Sequence, residues 1–450
     1  MYFSIVMLRL LWFTIMLKIS FINSILIEKD AISNALRDKI KAVDEYCCEK
    51  AIPYCLKIFV YSTDYNDKRI KIISNINQLV MDTHFLESDL IIYEYGIYHN
   101  IFDSIAIAYK KAKIVVDYHG ITPPEFVSKE HCDVLNKSMD KRHNIFLADK
   151  VIVHGEYIKQ DLLDIGIQPE KIFIVNLPVC FNYFDNSIQK IHKNKNIIYL
   201  LYVGRFVKHK GVIELLKAVK KLVDSGMTNI KLNLVGNLTY SDSMYIHQLR
   251  EYIILNSLSS WVNFAGTVSD EELIEYYTLS DVLVIPSYHE GFCVPVAEAF
   301  FHGCYVIAYD SGNLPYIVNG LGRIVKTGDV DMLYSAIADY YKAKSSFIQG
   351  KTDTKLITDA CNMSENEFIS KARHYSNNFK FDHFKKSFID VLDLELIRHN
   401  TEKSISSYSQ AMKDLLKLLI KSSNDSCQSD ELSVSNYDLS VEDKIRSLFR

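Results

Sequence analysis

The chain has 450 residues, 48% of them apolar and 24% charged, and 51 Lys and Arg against 55 Asp and Glu leave a net charge of −4. That length calls for two or three domains. The slightly acidic balance sets aside a protein whose task is to grip nucleic-acid backbone. Sixteen Gly and eight Pro exclude a collagen-like or linker-dominated chain. The nine Cys are thinly spread, with no CxxC pair and no zinc-type spacing, so they read as free thiols of a reducing compartment.

In chain order, the apolar start is broken by Arg9 and Lys18, lacks a small-x-small cleavage site and makes a poor signal peptide or membrane span. Residues 1–15 read as an extension, with a start at Met7 or Met16 or a weak membrane contact as alternatives. From Met16 onward, short apolar runs alternate with helical stretches. Strands are expected at 17–23, 56–62, 89–95, 113–118, 149–153 and 171–176, with helices such as 31–47 and 99–112 between them. A polar stretch at 185–196 reads as a hinge. The alternation restarts with strands at 197–203, 231–235, 262–264, 281–286 and 304–309, and helices at 212–224, 243–256, 271–278, 295–302 and 330–342.

Such near-continuous apolar strands indicate α/β domains with parallel sheets buried on both faces, here two doubly wound domains across a cleft. The expected layout is an extension over 1–15, a first domain over 16–190, a second over 191–380, a C-terminal helix over 381–399 and a low-order tail over 400–450. A helical stretch is expected at 365–395, and 414–421 is a short amphipathic segment inside the tail.

Three constellations follow the carboxyl ends of expected strands, where open α/β sheets bind ligands. In the first, Gly204 turns the chain out of a strand, and Arg205 and Lys210-Gly211 bracket the start of the next helix. Two cations at a helix N-terminus suit a diphosphate. The spacing matches neither a Walker loop nor a GxGxxG fingerprint.

The second is Glu290-Gly291-Phe292-Cys293-Val-Pro-Val-Ala-Glu298, with Pro295 at the first helical position and Gly303 as the C-cap. Its carboxylates suit sugar hydroxyls, and the loop supplies free amides. The third is His119, followed by Gly120 and Pro123-Pro124, at the end of a buried strand. Alone it reads more often as a hydrogen-bonded packing histidine than as a functional one.

Together, Gly204-Arg205…Lys210-Gly211 and Glu290-x7-Glu298 within HEGFCVPVAEAFFHG resemble the retaining GT-B glycosyltransferases of family 4, the "glycosyl transferases group 1" domain. The resemblance spans residues 17 to about 395 and is densest over 199–330. It implies a GT-B fold with an acceptor-side first domain and a nucleotide-sugar-binding second domain. It also implies transfer of a sugar from a nucleotide-sugar co-substrate to an acceptor hydroxyl with retention, without metal or other cofactor. Arg205 and Lys210 would neutralise the donor diphosphate, Glu298 would hold the ribose, and Glu290 would contact donor-sugar hydroxyls. The amides of Phe292 and Cys293, beside Gly291, would add contacts to that sugar, and His119 would line it from the first domain.

The implied partners are a nucleotide sugar and a carbohydrate or lipid-linked acceptor, with no nucleic acid. The implied setting is cytoplasmic cell-surface polysaccharide or glycolipid assembly, with peripheral contact at the inner membrane face left open. Alternatives are a sugar-nucleotide epimerase of the same fold and a non-catalytic nucleotide-sugar-binding relative.

Two departures stand out: Asn313 and Tyr316 replace common residues of the family's Gly-Gly-x-Pro-Glu loop, and the first strand lacks the usual Gly-Gly loop. Asp329-Val330-Asp331 imitates a metal-binding Asp-x-Asp, but its place at a helix start explains it.

Overall fold

Short runs rich in Ile, Val and Leu, too brief for helices, form the strands. The first sheet contains β1 (Leu17–Ile22), β2 (Tyr54–Val60), β3 (Ile70–Ile72), β4 (Leu90–Tyr95), β5 (Lys113–Tyr118), β6 (Lys150–Val153) and β7 (Ile172–Ile174). The second contains β8 (Ile198–Val203), β9 (Ile230–Val235), β10 (Val262–Gly266), β11 (Val282–Ile285), β12 (Tyr305–Tyr309) and β13 (Arg323–Val325). This computed structural model describes residues 16–28, 30–127, 129–179, 196–348, 355–397 and 399. The expectations for 1–15, for the hinge at 185–195 and for the tail, including 414–421, fall outside the described residues.

The strand orders are 3-2-1-4-5-6-7 in the first sheet and 10-9-8-11-12-13 in the second, each the order of a doubly wound fold with a switch point beside its first strand. Pairing is parallel from β1 through β4, β5, β6 and β7, and through the whole second sheet. Helices cover both faces, which is why all six residues of β4 and all four of β11 are buried. Lys18–Leu392 is one compact unit that holds both sheets.

The helices that position the site are α1 (Ala31–Glu49), α2 (Glu156–Asp164), α3 (Val212–Asp224), α4 (Asp270–Leu279), α5 (Val294–Phe301), α6 (Val330–Ile348) and α7 (Phe381–Leu392). Their starts are set by local chemistry. Asp30 caps α1 by accepting from the Ser33 amide, and Ser269 with Glu272 forms a capping box on α4. Helix α7 packs back on α1: Lys385 bonds Glu45 and Glu49 at 3.0 and 2.6 Å, and Lys41 lies over the Phe381 ring.

Three expectations need correction. The stretch 99–112 is not one helix but a 3₁₀ turn (Asn100–Ser104) and one α-turn (Ile105–Ala108), ended by Lys110 at φ +63°. Ser104 bonds back to the Ile101 carbonyl at 2.6 Å, a local bond that competes with regular helix. The stretch 365–395 breaks into two helices at Asn377–Phe379, where Phe379 turns inward onto Phe292 and Tyr375. Pro295 is the second residue of α5, because Cys293 is the cap and Val294 the first turn residue. Strands β3 and β13 have three residues each, too short for a periodic signal. Asp329 caps α6 through the Met332 amide at 2.9 Å, as expected of an acid at a helix start.

Candidate functional site

The loop after β8 contains the first constellation. Gly204 follows the strand, and the Tyr202 hydroxyl donates to the Arg205 carbonyl at 2.8 Å, fixing the turn. Arg205 is exposed and forms no ion pair with any described residue. A 3₁₀ turn (Lys208–Lys210) then leads to Gly211 at φ +66°, directly before α3. A Cβ on Gly211 would lie 1.9 Å from the Pro286 carbonyl oxygen, so this crossing of two loops requires glycine.

That crossing brings the second constellation against the first. Lys210 Nζ donates to Glu290 Oε1 at 2.8 Å, with both side chains largely buried. Burial alone would push the Glu290 carboxyl up, but Lys210, aided by Ser287 and His289, holds it below the usual carboxylate range. Glu290 is thus an anion preorganised by a cation. Its carbonyl accepts from the Asn313 amide at 3.0 Å, and a Cβ on Gly312 would sit 2.4 Å from that same oxygen.

Cys293 caps α5 in the left-handed region, at φ +68°. This turn leaves the amides of Phe292 and Cys293 without a protein acceptor among the described residues, at the positive end of a helix. Both side chains are buried, so the loop offers backbone to a ligand and keeps its side chains in the core. Glu298 lies one turn further on. Its Oε2 accepts from the Tyr277 hydroxyl of α4 at 2.6 Å, and Oε1 has no protein partner among the described residues. Burial pushes its carboxyl up, and the Tyr277 bond works the other way.

From the first sheet, His119 ends the extension of β5. Its carbonyl lies 3.3 Å from where a Cβ on Gly291 would be, which brings His119 beside the Glu290–Gly291 loop. The geometry thus joins Lys210 to Glu290 and brings the His119 backbone beside Gly291, while Arg205 is exposed on the loop that leads to Lys210 and Glu298 faces Tyr277. A second contact across the lobes is aromatic. Phe126 packs on His209, Tyr288 and His289, its carbonyl lies 3.2 Å from His209 Nδ1, and Tyr157 of α2 meets His289.

Sequence reading missed what lies beneath His119. Lys39 of α1 is fully buried and pairs with Glu94 at the end of β4, at 2.6 Å, and with Asp117 at the end of β5. Glu94 Oε2 also meets His119 Nε2 at 2.8 Å, and Asp117 Oδ1 meets His154 Nε2 at 2.9 Å. The signals were present: acids inside otherwise apolar strands, and a lysine on the buried stripe of Ala35, Leu36, Ile40 and Val43. Asp117, His119 and His154 are donors of metal-binding type within 4.8 Å of one another. The Lys39 ammonium already sits between the two carboxylates, so the cluster has its cation.

Comparison with known proteins assigns the fold. A solved structure of Anabaena HepE with UDP-glucose superposes with a TM-score of 0.59, at 16% identity, over 83% of this chain and 99% of that one. The fold is GT-B. The "O-antigen chain mannosyltransferase B" of Escherichia coli is 24% identical over 256 residues, 54% of this chain and 65% of its own. The capsular polysaccharide biosynthesis glycosyltransferase CapM of Staphylococcus aureus is 31% identical over 207 residues, 43% and 52% of the two chains. The chain thus spans about half to two thirds of the length of these relatives. No helix among the described residues is long and apolar enough to cross a membrane. Residues 184–360, which include Arg205, Lys210, Glu290 and Glu298, match the family described as "Glycosyl transferases group 1".

Proposed function

We propose that this protein is a nucleotide-sugar-dependent glycosyltransferase of the retaining, family 4 type, acting on a carbohydrate or lipid-linked acceptor in cell-surface polysaccharide or glycolipid assembly. The observation that carries the reading is the pairing of Lys210 with Glu290 beside the open amides of Phe292 and Cys293 at the start of α5, with Arg205 exposed on the loop that leads to Lys210. Two cations beside two donors at a helix start suit a diphosphate. Glu298 Oε1 is free for a ribose hydroxyl, and Glu290 and His119 flank the place left for a sugar. The names of the relatives, for O-antigen and capsule, support the acceptor class. The reaction needs no metal or cofactor in this reading and belongs on the cytoplasmic side, where the acceptor meets the inner membrane face.

Chemically, the arrangement stabilises a leaving group. As the glycosidic bond breaks, charge grows on the diphosphate, where Arg205, Lys210 and the helix start would stabilise it. Glu290 is engaged with Lys210 and Glu298 with Tyr277, so this reading gives neither of them the role of nucleophile. The departing phosphate then takes the acceptor proton on the same face.

The test is incubation with UDP-, GDP- and ADP-sugars and a simple sugar acceptor, followed by proton NMR of the product. The reading predicts transfer with the anomeric configuration of the donor. Recovery of an isomerised nucleotide sugar, or an inverted product, would contradict it.

A further inference from the structure

The ion cluster beneath His119 carries an inference about how that histidine is used, and it rests on the donor-site reading above. Glu94, Asp117 and Lys39 have fully buried side chains. Two carboxylates and one ammonium leave one negative charge away from water, which is costly unless a further proton resides there. Two imidazoles are in reach.

His154 faces acceptors on both sides. Its Nδ1 lies 2.8 Å from the Val175 carbonyl, and its Nε2 lies 2.9 Å from Asp117 Oδ1. The Val175 carbonyl only accepts, so Nδ1 of His154 carries hydrogen. Asp117 stays ionised: burial opposes this, but its cationic surroundings, with Lys39 paired directly to it, hold its carboxyl well below the usual range. His119 Nε2 faces Glu94 Oε2 at 2.8 Å, an oxygen that also accepts from Lys39, so this is the nitrogen that donates. His119 Nδ1 has no protein partner among the described residues.

We propose that Glu94 and Lys39 are positioning residues that lock His119 in the Nε2–H tautomer, so that Nδ1 is presented as a hydrogen-bond acceptor for a hydroxyl of the donor sugar. The lock works through orientation and charge. Glu94 fixes the ring by one strong bond, and Lys39, bonded to the same oxygen, holds Glu94 in place. A neutral acceptor nitrogen selects a sugar hydroxyl at that position over a charged or hydrogen-lacking substituent.

The experiment uses the full chain labelled with ¹⁵N-histidine, with two-bond nitrogen–proton spectra at pH 7 and the His119 signals assigned by their loss in His119→Gln. The expected wild-type result is a bare Nδ1 and a protonated Nε2 on His119, with Nδ1 protonated on His154. In Glu94→Gln, whose carboxamide can donate as well as accept, the His119 signals should move toward a tautomer mixture while those of His154 stay. Titration with UDP-glucose should shift His119 Nδ1 in the wild type, and Glu94→Gln should raise KM for it by about tenfold, one hydrogen bond's worth, with little change in kcat. A wild-type His119 protonated at Nδ1, or stoichiometric bound zinc, would overturn the proposal. The nitrogen signals decide the tautomer whether or not sugar is transferred, so failure to bind or use UDP-glucose would count against the donor reading alone.

Discussion

Lys210 and Glu290 form the pair on which the site turns, because each is buried enough to need the other. In the donor-site reading proposed above, an arriving diphosphate would draw Lys210 toward itself while Glu290 turned to the sugar hydroxyls. Lys210→Ala removes the cation from both states. It should cost at least about 1.5 kcal/mol of transition-state stabilisation, seen as a tenfold or greater fall in kcat/KM. Glu298→Ala should act on the nucleotide instead. It should weaken UDP, GDP or ADP binding by about tenfold, and unchanged affinity in calorimetry would remove the ribose assignment.

At the scale of elements, the site is built by glycines that let loops cross. Gly211→Ala would drive a Cβ into the Pro286 carbonyl and hold alanine at φ +66°. A loss of more than about 2 kcal/mol should follow, read as a lower urea midpoint. Gly211 and Gly204 were legible in the sequence, because a glycine between a strand end and a helix start has few other uses. The left-handed Cys293 was not, since nothing in the letters marks a non-glycine residue for that conformation. Nor was the pairing of Glu298 with Tyr277, which needs two helices 21 residues apart to be docked. Strand positions were legible within a residue or two because burial on both faces demands unbroken apolar runs. The break at Asn377–Phe379 depends on where Phe379 docks, which no periodicity records.

For the whole molecule, both sheets were legible as a rhythm, while the return of α7 onto α1 was not, because it depends on side chains more than 300 residues apart. The buried histidines give the fold a pH signature. Burial pushes His99 down to about 4, and His209 likewise to about 4 with Lys210 assisting. In the unfolded chain a histidine takes its proton near pH 6.5. Between about 6.5 and 4, therefore, the unfolded state binds protons that the folded state refuses, and stability falls as pH falls through that window. His99 alone accounts for roughly 3 kcal/mol across it. Urea midpoints should be flat above pH 7 and drop toward pH 5, and a midpoint that rises on acidification would contradict the assignment.

The central claim is that Arg205, Lys210, Glu290 and Glu298 form a nucleotide-sugar site. Calorimetric titration of the full chain with UDP, GDP and ADP, without added metal and beside Lys210→Ala, tests it most directly. The account predicts saturable one-to-one binding of one of the three, lowered at least tenfold in the variant. Binding of none of them, or binding that Lys210→Ala leaves unchanged, would contradict it.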